Sequence, residues 1–199
     1  MHIPSRVATH FLLCCAVAVA PAFALAQDAA PAKPAKPAVG TAMSPSETYG
    51  KLLTMMEKEF VDAAEAMPED KFDFTPPATA GDFKGVRSFS AQIKHVTEAN
   101  YYFFGGGGMS QDDMKAKAAA IEKNTSKADI IQALKDSFTQ AHTYVNGITP
   151  ENVFVMTASG TRGGMSTFGI SHVMDHYGQM VVYLRMNGIV PPASRGGGM

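Results

Sequence analysis

The chain has 199 residues, of which 46% are hydrophobic, and a formal net charge of −1 at pH 7. That length bounds the folded part to one domain around a single core. The charge balance excludes the basic face that nucleic-acid binding demands.

The N-terminus reads as a targeting segment. Arg6, the apolar run Phe11 to Ala20, Pro21 and then Ala24-Leu25-Ala26 before Gln27 follow the charged, apolar and small-residue order of a secretory signal peptide. Residues 1–26 are read as that signal, which would send a mature protein starting at Gln27 to the periplasm or out of the cell. The apolar run falls short of the roughly 20 residues that a membrane-spanning helix needs, so no span is expected in the mature protein. Both cysteines, Cys14 and Cys15, lie in the signal. The mature chain would therefore have neither disulfide nor thiol nucleophile. Residues 27–43 repeat proline, alanine and lysine, a composition that cannot bury a core and reads as a disordered tether. Residues 44–194 are left as the folded domain, and residues 195–199, with their glycine run, as a flexible tail.

Within the domain the helix signals come in order. Ser44-Pro45-Ser46-Glu47 is a capping box with proline at the first helical position, and Met67-Pro68 is the stop. Phe72 and Phe74 are expected to pin the connection that follows onto the core. Ser88 caps a second helix over about Phe89 to Phe104, ended by glycines. A short helix is expected between Gln111 and Lys123. A third long helix opens at Ser126, and a fourth runs from about Met165 to Asn187. Long amphipathic segments with few β-branched runs predict an all-α fold, a four-helix bundle. Its core stripe is read as Leu52, Met56, Phe60, Val96, Phe103, Leu134, Phe138, Val181 and Leu184.

The chemistry sits in the histidines. His172 and His176 are one helical turn apart, so both imidazoles share a face and can bind one metal ion. His95, on the shoulder of the second helix's stripe, is the third candidate. Three histidines with a position left open are an arrangement that catalytic metal centres use. Val173 rather than glutamate follows His172, so the zincin motif is absent. His142 has no histidine partner and is read as structural or solvent-facing. Asp175 and Glu98 are candidates to orient a ligand or accept a proton, and Gln179 to donate to a substrate. The open face of the ion is expected in a groove lined by Ala99, Tyr102, Asp175, Gln179 and Tyr183.

The run His172-Val173-Met174-Asp175-His176-Tyr177-Gly178-Gln179 and the closing Tyr183 to Ser194 resemble the DinB-like (YfiT-like) metal-binding family, as does Met67 to Phe72 followed by the His95 helix. The similarity covers about Ser46 to Ser194. It implies a bundle of up-down-down-up type, a divalent metal on His95, His172 and His176, and frequent dimerisation. Relatives include metal-dependent transferases of low-molecular-weight thiols and a thiol-dependent isomerase. They work in the cytoplasm, from which the export signal sets this chain apart.

Two functions follow. One is a metal-dependent hydrolase or transferase acting on an unknown small molecule. The other is a non-catalytic exported protein that binds a metal or ligand. An all-nitrogen site suits zinc or nickel and leaves manganese, iron and cobalt open.

Overall fold

The computed structural model describes residue 2, residues 36–105 and residues 109–196. Apart from His2, the signal lies outside the described residues, as do tether residues 27–35 and tail residues 197–199. Residues 36–41 include one turn, closed by Thr41 N donating to Ala38 O at 3.1 Å.

Five helices follow: α1 Pro45–Ala66, α2 Phe89–Phe104, α3 Gln111–Glu122, α4 Lys127–Asn146 and α5 Arg162–Met186. Each begins on a hydroxyl that accepts one of the first unpaired backbone amides: Ser44, Ser88, Ser110, Ser126 and Thr161. At α1 the box is reciprocal, because Ser44 N also donates to Glu47 Oε2 at 3.0 Å. At α2 the incoming connection helps: Phe89 N donates to Phe74 O and Ser90 N to Phe72 O, each at 2.9 Å. Phe72 is buried edge-on against Phe89, with ring centroids 5.7 Å apart. The two phenylalanines thus anchor the connection and complete the start of α2.

Side-chain pairs give the sense of each helix. Glu57 meets His142 and Glu65 meets Lys135, each at 2.7 Å, so α1 and α4 are antiparallel. Asn100 Nδ2 donates to Ser137 Oγ at 3.0 Å, and Gln140 Nε2 reaches Phe104 O at 3.5 Å, so α2 and α4 are parallel. Gln92 meets His176 while His95 meets His172, so α2 and α5 are antiparallel. With α1 packed on α5, the four long helices run up, down, down, up in chain order. Two parallel helices need a crossover, and α3 is that element. It lies against the outside of α2, where Lys94 Nζ donates to Glu122 O at 3.0 Å and Lys117 stands over the Tyr101 ring. Only Ile121 of α3 is buried, so this helix returns the chain without sharing the main core.

Leu53, Met56 and Phe60 of α1 pack with Ile93 and Val96 of α2, Leu134 and Phe138 of α4, and Val173, Met180 and Leu184 of α5. Two expected positions are corrected. Leu52 is 42% exposed and its neighbour Leu53 fully buried. Val181 is only half-buried, and Met180 is fully buried in its place. Both errors have one cause: adjacent apolar residues differ by 100° on a helix, and the neighbouring helices decide which turns inward. No helix among the described residues is long and apolar enough to cross a membrane.

Candidate metal centre

α2 packs tightly on α5 at a glycine of α5. A Cβ on Gly169 would sit 2.6 Å from the Phe104 ring and 3.0 Å from Phe103 Cβ, so the helix spacing requires its absence. One turn further along α5, His172 turns its Nε2 to within 3.1 Å of His95 Nε2. His176 completes the cluster, its ring centroid 4.8 Å from that of His95 and 4.5 Å from that of His172. One ring nitrogen from each histidine can be chosen so that all three lie within 4.8 Å of one another. Two nitrogens on one tetrahedral ion at about 2.0–2.1 Å would be about 3.3 Å apart, close to the His95–His172 spacing.

The surroundings keep the imidazoles neutral. Burial depresses all three pKa values, and the Arg87 guanidinium adds to this, lowering each of them. For His176, burial and its two histidine neighbours bring the value down to about 4. Neutral imidazole is the metal-binding form, so these residues are ligands ready at neutral pH. His172 Nδ1 is buried without a hydrogen-bond partner, and Phe103 lies against that ring at 5.4 Å. His176 differs. Its Nδ1 is 2.6 Å from Gln92 Oε1; Gln92 Nε2 donates to Gln179 Oε1 at 2.8 Å, and Gln179 Nε2 to Asp175 Oδ2 at 3.2 Å. With Nδ1 donating to Gln92, His176 keeps its lone pair on Nε2 for an ion. The donor set and its spacing fit a divalent metal.

A model of the DinB superfamily matches residues 52–180, a span that takes in all three histidines. The chain belongs to the DinB superfamily. No curated protein sequence matches it.

The bundle brings together some of the expected site residues of this DinB protein and separates others. Asp175 and Gln179 reach His176 through Gln92, and Ala99, on α2, packs against the core. Glu98 instead faces a cleft of about 300 Å³ between α2 and α3, with Tyr102 and Lys117. Burial and the neighbouring Glu122 raise its carboxyl pKa.

The groove is corrected at both tyrosines. Tyr102 is 49% exposed on the α3 side. Tyr183 is buried in the core, donating to Arg87 O at 3.1 Å and edge-on to Phe74. Each shares its histidine's helical angle but lies seven residues away along the axis, about 10 Å at 1.5 Å per residue. His142 ties α4 to α1 through Glu57, the structural role expected of it. Sequence reasoning missed Gln92 and Arg87. The available signal was a carboxamide one turn before His95, inside the stripe Phe89, Ile93, Val96.

Proposed function

We propose that this DinB protein is a metal-dependent enzyme, of hydrolase or transferase type, acting on a small polar molecule outside the cytoplasm. His95, His172 and His176 would hold one divalent ion, zinc or nickel before manganese, iron or cobalt. The observation that carries the reading is the incompleteness of the ligand set. Among the described residues, no aspartate or glutamate joins the three histidines, which leaves a coordination position without a protein ligand. A structural site would be closed by a fourth ligand.

When bound, such an ion supplies Lewis acidity toward a substrate oxygen or thiol. The chain's own residues divide the remaining work. Gln92, Gln179 and Asp175 orient His176. Gln179 is committed at both ends of its carboxamide, which supports a role in holding the ligand rather than the substrate. Glu98, which lines the α2–α3 cleft, is assigned no part in the reaction. The signal segment supports export, and the family resemblance supports a homodimer.

The test starts from the protein purified from its native compartment. N-terminal sequencing should find Gln27, and elemental analysis should find one divalent ion per chain. His172→Ala/His176→Ala should abolish that ion while leaving the helical circular dichroism intact. A screen of ester, amide and thiol-transfer substrates, with and without metal, should then show metal-dependent turnover. Undiminished metal in the double variant would refute the site, and stoichiometric metal without turnover would favour the non-catalytic reading.

A further inference from the structure

The chain His176–Gln92–Gln179–Asp175 has only one possible direction, and this sets what it does. An ionised aspartate accepts hydrogen bonds and cannot donate them. Gln179 must therefore present its NH₂ to Asp175, which turns its carbonyl oxygen toward Gln92. Gln92 must donate there with its own NH₂, so its oxygen is left for His176. That oxygen can only accept, so Nδ1 of His176 must carry a proton. The contacts agree with this order at every step: 3.2 Å, 2.8 Å and 2.6 Å from the carboxylate inward.

The two ends stand in different surroundings. Asp175 is exposed, whereas Gln92 is 1% and His176 6% exposed. The chain links a surface charge to a buried imidazole, and the shared polarity of its bonds strengthens each of them. His172 has no counterpart, since its Nδ1 is buried without a partner.

We infer that Gln92 is a positioning residue of the metal site, which, oriented by Asp175 through Gln179, fixes His176 as an Nε2 ligand and raises its donor strength. The inference rests on the metal reading of the three histidines. Outer partners of ligating histidines commonly act in this way, usually as a directly bonded carboxylate or carbonyl. Here two carboxamides carry the carboxylate's influence across the α2–α5 interface, which lets the charge itself stay in water.

The experiment uses the full mature protein and two readouts. The first is the tautomer of His176 in the metal-free protein, from long-range ¹H–¹⁵N correlation spectra. The second is zinc affinity by competition with a chromophoric chelator. Wild type should show His176 protonated at Nδ1. Gln92→Leu should mix the tautomers and weaken zinc binding about 10–100-fold. Gln92→Glu, which still accepts from Nδ1, should restore most of the affinity. Asp175→Asn, a change at an exposed position, should give partial tautomer mixing and a several-fold loss.

An Nε2-protonated His176 in the wild type, or wild-type affinity and tautomer in Gln92→Leu, would overturn the inference. Should Gln92→Leu fail to fold, Asp175→Asn with unchanged tautomer and affinity would overturn it alone. If wild type binds neither zinc nor nickel, manganese, iron or cobalt, the metal reading fails, and the tautomer still reports on the chain of hydrogen bonds.

Discussion

Gly169 of α5 lies directly against Phe104 of α2, with space for no side chain between them: a Cβ would meet the ring at 2.6 Å. Phe104 is fully buried. The contact sits one turn before His172, so it sets the distance across which the histidines meet. Gly169→Val should separate the helices and cost roughly 1–3 kcal/mol by overpacking, beyond any gain in helix propensity. Metal affinity should fall with it. Urea denaturation and chelator competition check this; a stability loss under about 0.5 kcal/mol would mean that the interface yields.

Acid should destabilise the metal-free protein. An unfolded histidine has a pKa of about 6.5, and in the fold His176 is held down to about 4. Between those values the unfolded chain binds a proton that the folded one refuses, so stability falls as pH drops through this window and levels off below it. At 1.36 kcal/mol per unit, His176 contributes at most about 3 kcal/mol of that loss. His95 and His172, also depressed by burial, act in the same direction. The urea midpoint between pH 7.5 and 4.5 measures the effect, and His176→Gln should make the slope shallower. A flat wild-type profile would contradict the burial argument.

Adjacent leucines on α1 should behave differently. Leu53→Ala should cost about 2–5 kcal/mol, and Leu52→Ala, at a position 42% exposed, about 0.5 kcal/mol or less. Phe138→Ala, at a fully buried site on α4, should cost about 3–5 kcal/mol. Chemical denaturation of the three variants decides these assignments, and a larger cost at Leu52 than at Leu53 would reverse the facing of α1.

Tyr183 should matter for stability and not for metal. Its hydroxyl donates to Arg87 O at 3.1 Å, so Tyr183→Phe should cost about 0.5–1.5 kcal/mol. Zinc affinity should stay at the wild-type value. An affinity loss comparable to that of a histidine variant would return Tyr183 to the groove lining.

The local features of this chain were legible in its sequence because local interactions make them. Serine caps, the capping box at Ser44 and the stop at Met67-Pro68 act within one or two helical turns and marked where helices begin and end. The spacing of His172 and His176 put two imidazoles on one face by helix geometry alone. A helical wheel gives an angle, however, and neither a height along the axis nor a neighbour. Tyr102 and Tyr183 had suitable angles and the wrong heights, and Leu52 lost the inward position to Leu53 once α1 was packed. Gln92 is the clearest case. A buried carboxamide takes its role from the partner that satisfies it, and that partner, His176, is 84 residues away on another helix. Only the packing of α2 on α5 could decide that the glutamine holds the histidine.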